Sequence, residues 1–300
     1  MRAKWMAWPG LVIAAGCVAG CGDAPAPEAP VAVRAPVEVA RCVLTFRDHR
    51  RTRVARVRLE RDLAQYLRGR PGRVIYGARD LATKVRLGRG EHDQDVITAG
   101  GAKVDILAAL LAARDSRLAG EERGLATRMI LERDNLAADT LWSLLGGETG
   151  LSGFYAGLGL SESTPGPGIF WGGTTTSPAD RIRLLRTLVK GGGGLTAADR
   201  GMVLGLMGRM GQEQSWGVSA AARPGDRVAL KNGWTPQPQA QVSWAVTSYG
   251  RVEGPGRDLL LSVQTDGQPS QATAIETVEE VARMIGARLG ELSPSRAPII

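Results

Sequence analysis

Histidine and cysteine are nearly missing from this chain of 300 residues, which contains two of the first and three of the second. His49 and His92 stand far apart in sequence, and neither belongs to a ligand-spaced pair, so a zinc site has almost nothing to build on. Cys17 and Cys21 fall in a leader-like N-terminus, leaving Cys42 as the one cysteine beyond it. A lone cysteine closes no intrachain disulfide, so the fold must stand on its core alone. No metal and no cofactor is implied. After the N-terminus, no apolar run approaches the ~18 residues of a membrane-spanning helix. Basic residues are not interleaved with aromatics, which argues against nucleic acid as a partner. What the chain does contain is ordinary for a soluble globular protein: 43% hydrophobic and 23% charged residues, enough for one large domain or two small ones.

The N-terminus is the exception. "MRAKWMAWPGLVIAAGCVAGC" places Arg2 and Lys4 before a short apolar core that ends in small residues, the form of a secretory signal. Val18-Ala19-Gly20-Cys21 resembles the lipobox of bacterial lipoproteins, and the resemblance implies acylation of Cys21 as the new N-terminus. Residues 1–20 are therefore expected to be a lipoprotein signal peptide, and residues 21–41 a Pro/Ala-rich extended tether. The protein is expected to be exported and held to the outer face of the cell membrane through Cys21. Loss of Arg2 and Lys4 lowers the formal charge of +8 by two. Arginines crowd the segment from Arg47 to Arg73. That crowding reads as a solvated helix face, or as attraction to the anionic membrane beside the anchor.

Residues 42–292 read as the folded domain and 293–300 as a disordered tail. Leu59, Leu63, Tyr66 and Leu67 recur at helical spacing up to the Gly69-Arg70-Pro71-Gly72 breaker. "RVIYGARD" and "ATKVRLG" form a predicted two-strand hairpin. A mostly helical stretch follows, placing a helical lobe at about residues 103–220. Within it, Ser177-Pro178-Ala179-Asp180 opens a helix with a cap, a proline and an acid. Strand signals return at "RVALKNG", "QVSWAVTSYG" and "RDLLLSVQTDG". Ile275, Val278, Val281, Ile285 and Leu289 then line one face of a last helix. The order predicts an α+β fold: a five-stranded antiparallel sheet flanked by N- and C-terminal helices, with an all-helical lobe inserted and a cleft between them.

Three short segments carry the chemistry. Gly100-Gly101-Ala102-Lys103 opens an apolar helix, with a glycine one turn before the lysine. Arg133-Asp134-Asn135 falls between two helical patterns, and Lys231-Asn232-Gly233 precedes Trp234 on a strand. In order and spacing these resemble the S-x-x-K, S-D-N and K-T-G motifs of the serine β-lactamase and penicillin-binding protein superfamily. The likeness is nearest to the class A β-lactamase-related serine hydrolases of high-GC Gram-positive bacteria, and covers about residues 59–289. It implies that Lys103 would take the proton of a nucleophile, but Gly100 stands where that serine belongs. Asn135 would bond a substrate amide and Asp134 would brace the loop. Arg133, which only donates, replaces a proton-relaying serine. Lys231 would steady a substrate carboxylate and Gly233 would leave room for a ligand, while backbone N–H groups beside Asn232 and Trp234 help form an oxyanion hole. In the class A pattern a loop glutamate activates water. Here the corresponding loop offers Glu162, which reads as an exposed loop acid.

Two hydroxyls are lost while Lys103, Asn135, Lys231 and Gly233 remain. Relaxed catalysis with retained binding would leave that pattern. The expected function is a catalytically inactive envelope lipoprotein that binds a cell-wall peptide, a glycan fragment or a β-lactam-like small molecule. The alternatives are a hydrolase with an atypical site and an envelope scaffold. Lys103, Arg133 and Lys231 are expected to converge, and relief of their repulsion requires a deprotonated lysine or a bound anion.

Overall fold

The computed structural model describes residues 45–47, 49–115, 117–237, 243–293 and 296–298. Cys21 and the proposed tether lie outside them. After a short strand β1 (Thr45–Arg47), helix α1 (His49–Arg68) leads to β2 (Arg73–Asp80) and β3 (Arg86–Arg89), the expected hairpin. Strand β4 (Val96–Ile97) precedes the helical lobe, which comprises α2 (Ala102–Ala113), α3 (Gly120–Thr127), α4 (Asn135–Leu145) and α5 (Gly147–Leu158). After β5 (Thr175–Thr176) the lobe continues with α6 (Pro178–Lys190) and α7 (Ala197–Met207). Strands β6 (Arg227–Gln237), β7 (Ser243–Gly254) and β8 (Arg257–Gln268) and helix α8 (Gln271–Arg288) follow.

Five strands form one antiparallel sheet in the order β3-β2-β8-β7-β6, so the first hairpin and the last three strands meet across the inserted lobe. The middle strands are covered on both faces, and alternation divides their side chains between two cores. Leu259, Leu261 and Val263 pack with Leu59, Leu63, Val278 and Ile285 of α1 and α8. Leu260 and Tyr249 point the other way, into a core built around α2. That helix is buried from Ala102 to Leu111, so it is the central helix its all-round apolar sequence predicts. Ser177 caps α6 by accepting from Asp180 N, with Pro178 at the first helical position.

A fully buried ion pair ties α6 to α2 within the lobe, beside Tyr249 of the sheet. Arg181 Nη1 of α6 donates to both carboxylate oxygens of Asp105 on α2 at 2.7 Å. Tyr155 of α5 also donates to Asp105, and the Arg181 guanidinium lies 5.5 Å from the Tyr249 ring centroid.

Part of the segment read as a disordered tail forms β9 (Arg296–Pro298), paired antiparallel with β1. Two short ends that each lack backbone partners supply them to one another.

Candidate ligand-binding cleft

The entry to α2 is a tight 3₁₀ turn, Ala99–Gly101, in which Ala99 has φ 46° in the left-handed region. Gly101 N donates to the Thr98 carbonyl and Tyr249 Oη donates to the Gly101 carbonyl, both at 2.8 Å, so the turn is fastened to itself and to β7. Pairing of β4 with β5 holds the same region to the loop before α6. Strand β6 comes against this turn at Gly233, where a Cβ would fall 2.1 Å from the Thr98 carbonyl oxygen and 2.9 Å from Gly100 N. Only glycine permits that approach. Gly100 differs. A Cβ there would meet the Asn232 carbonyl oxygen at 3.3 Å, a contact that a shift of a few tenths of an ångström relieves.

Lys103 is 2% exposed and does not reach solvent along its helix. Its Nζ donates to the carbonyls of Arg133 (2.7 Å) and Asp134 (3.3 Å) and to Asn135 Oδ1 (2.8 Å), satisfying three protons with three acceptors. It also lies 5.1 Å from the Trp171 ring centroid. The lysine thus binds the head of α2 to the second motif. That motif follows a π-turn, Arg128–Glu132, and its first residue, Arg133, has φ 60°. The Arg133 guanidinium stacks 3.7 Å from the Trp234 ring centroid, and Trp234 packs in turn on Trp216. Asp134 caps α4 by accepting from Ala137 N at 3.0 Å, and pairs with Arg128.

Lys231 is 1% exposed, and its Nζ donates to the Asn232 carbonyl at 2.9 Å. Asn232 Nδ2 donates to the carbonyls of Gln214 (2.9 Å) and Trp216 (3.3 Å), fixing the loop before β6 to the strand. Gly100, Lys103, Arg133, Asn135, Lys231 and Gly233 border a single cleft of about 620 Å³, together with Asn232 and Trp234.

The three cations do converge, and the lysines carry the consequence. Burial and then the Arg133 charge lower the Lys103 pKa to about 8, against a smaller opposite effect of Asp134 and Asp139. Burial, then Lys103, then Arg133 lower that of Lys231 to about 7. Arg133 is also lowered by burial, while Glu213 acts to raise it.

Two residues of the cleft, Trp171 and Asp139, escaped the sequence reading. Trp171, on the Gly/Pro-rich loop before β5, faces Lys103, and its Nε1 donates to Asp139 Oδ1 at 2.7 Å on the same wall. Its signal was the run "GIFW" in a loop otherwise poor in aromatics. Glu162 lies elsewhere, away from the cleft lining. It is partly buried rather than an exposed loop acid, accepting from Ser177 Oγ at 2.5 Å and contacting His92 Nδ1 at 2.8 Å. Thr98, two residues before Gly100, is fully buried and does not line the cleft.

This fold, with Gly100, Lys103, Arg133, Asn135, Lys231 and Gly233 gathered at the junction of sheet and lobe, defines a protein of the class A β-lactamase type. The chain belongs to the β-lactamase enzyme family (Beta-lactamase2), whose model matches residues 116–289. Its fold is similar to a β-lactamase from Xanthomonas campestris (TM-score 0.66, 20% identity, 79% of this chain and 99% of that one). It is equally similar to a class A β-lactamase from Mycobacterium abscessus (TM-score 0.66, 19% identity, 77% and 99%). A serine-to-glycine variant of the TLA-1 extended-spectrum β-lactamase matches with a TM-score of 0.68 at 15% identity, over 78% of this chain and 98% of that one. Among curated proteins, LppW of Mycobacterium tuberculosis, named as a lipoprotein, is 28% identical over 215 residues, or 68% of this chain. The match spans 66% of LppW's own length, so about a third of that relative lies outside it.

Proposed function

We propose that the protein is a lipid-anchored envelope protein whose β-lactamase-like cleft binds a carboxylate-ended cell-wall peptide without acyl transfer. The observation that carries this reading is the convergence of Lys103, Arg133 and Lys231 around one cleft beside Gly100, which stands where the family resemblance would put a nucleophile. Arg133 stays charged, and its planar fork suits a carboxylate, while Trp234 holds it in place beside the opening. The name of LppW and the Val18-Ala19-Gly20-Cys21 box support the anchor. Metabolic labelling with a fatty-acid analogue is expected to tag the protein, and Cys21→Ala to abolish the tag; persistent labelling of the variant would refute it.

Calorimetric titration with D-Ala-D-Ala-ended peptides and their C-terminal amides tests the cleft. The acid is expected to bind at least about tenfold more tightly than the amide, and Arg133→Ala to remove that preference, as loss of a charge-assisted hydrogen bond implies. The pH dependence has a definite sign. A bound carboxylate favours the charged lysines and raises their pKa, so binding takes up protons at and above pH 7. Affinity is therefore expected to level off at lower pH, where both lysines are already charged, and to fall as pH rises through the range of about 7 to 8. Equal binding of acid and amide would mean that the pocket does not read a carboxylate.

A hydrolase that uses water in place of the serine hydroxyl is the second reading. Lys103, with a pKa of about 8, has the proton affinity of a general base near neutral pH. Turnover of a chromogenic β-lactam, lost in Lys103→Met, would favour it.

A further inference from the structure

A second charged cavity, of about 280 Å³, lies between the β2–β3 edge of the sheet and α6, and shares no lining residue with the cleft. Its composition follows from strand register. A Cβ at Gly77 would meet Pro178 Cβ at 3.2 Å, so that side of β2 faces the start of α6. Alternation puts Arg79 on the same side, two residues on. Arg86 is the direct antiparallel partner of Arg79 on β3. Like charges placed opposite each other in a sheet repel. From α6, Ile182, Arg183 and Arg186 come at helical spacing onto the same cavity.

The cavity's acids do not answer these charges. Arg183 is engaged by Asp180 at 2.9 Å, while the Glu91 carboxylate lies by Gly88 and His92, and His92 contacts Glu162. Among the described residues, the guanidinium groups of Arg79, Arg86 and Arg186 have no carboxylate partner. Burial and then the charges of Arg86 and Arg186 depress the Arg79 pKa, and no acid acts in the other direction. A strand pair and a helix therefore bring three arginines to one cavity, close enough for Arg86 and Arg186 to act on the charge of Arg79.

We propose that Arg79, Arg86 and Arg186 form a binding site for a phosphate-bearing anion, apart from the β-lactamase-like cleft. Phosphate fits better than carboxylate because three forks arriving from three elements match a tetrahedral group with several charged oxygens. The phosphate could belong to a membrane lipid headgroup or to a soluble molecule, and the test separates these.

The full-length Cys21→Ala protein, which lacks the proposed lipid, is titrated with inorganic phosphate against sodium chloride of equal ionic strength. It is also sedimented with phosphatidylglycerol and phosphatidylcholine vesicles. Phosphate is expected to bind and to raise Tm beyond the chloride control. Arg79→Gln and Arg186→Gln are each expected to weaken it about tenfold. In the absence of phosphate, those variants should keep or raise Tm, because they relieve repulsion; arginines with a merely structural role would lower it. Selective sedimentation with phosphatidylglycerol, lost in the variants, assigns the site to a lipid headgroup. Phosphate binding without vesicle binding assigns it to a soluble phosphate. Absence of both, or either one unchanged in both variants, overturns the proposal.

Discussion

Incubation with benzylpenicillin is expected to leave the mass of the protein unchanged, because position 100 offers no oxygen to acylate. Thr98 is no substitute, since its side chain is fully buried and outside the cleft. A covalent adduct on any residue would sink the degenerate-site reading. The geometry also says how acylation could be restored. The backbone admits a serine at position 100 with a small adjustment at the Asn232 carbonyl. Lys103, its pKa near 8, would then stand one turn away with a minor neutral fraction at neutral pH that grows as pH rises toward 8. Gly100→Ser alone is nevertheless expected to restore little. By the family resemblance, Arg133 holds a fixed positive charge where a proton relay is needed, and it only donates. Gly100→Ser combined with Arg133→Ser is expected to acylate about a hundredfold faster than Gly100→Ser, within the usual range for general acid–base assistance. Stopped-flow kinetics and intact-mass spectrometry check this. No gain in acylation rate on adding Arg133→Ser to Gly100→Ser would mean that Arg133 does not act at that site.

The largest effect on stability is expected at Arg181. Its guanidinium and the Asp105 carboxylate are both wholly removed from solvent, so Arg181→Met would leave a buried carboxylate with Tyr155 as its remaining bonding partner in the pair's network. Breaking a buried pair from one side costs about 3–5 kcal/mol, which for a domain of this size lowers Tm by roughly 10 °C. Replacing both partners, Arg181→Met with Asp105→Leu, is expected to recover much of the loss, because no unpaired charge remains. Thermal and denaturant unfolding of the single and double variants measure it, and a double variant no better than the single one would show that the pair is uncoupled. The pair also reaches the cleft. Arg181 stacks near Tyr249, whose hydroxyl holds the Gly101 carbonyl, so the single variant should loosen the turn at Gly100 and weaken ligand binding as well.

By itself the sequence determined a good deal. Helical spacing in Leu59, Leu63 and Leu67 and in Val278, Val281 and Ile285, together with five strand signals, sufficed for the sheet and its two covering helices. These are local periodicities, and burial of one face leaves them written in neighbouring residues. Motif order placed Lys103, Asn135 and Lys231 at one cleft, and the missing side chain at position 100 is a fact of composition that no packing can alter. Other properties came only with the tertiary structure. The three carbonyl-type acceptors that hold Lys103 belong to residues 133–135, the tryptophan facing it is residue 171, and Glu162 turned toward His92 instead of the cleft. Strand β9 and the Arg79–Arg86–Arg186 cavity likewise join segments distant in the chain. Such contacts leave no periodic trace, since any residue of suitable chemistry delivered to the right place by the fold can make them. The lysine pKa values depend on those contacts in turn, because desolvation and neighbouring charge are properties of an assembled interior and not of a residue type.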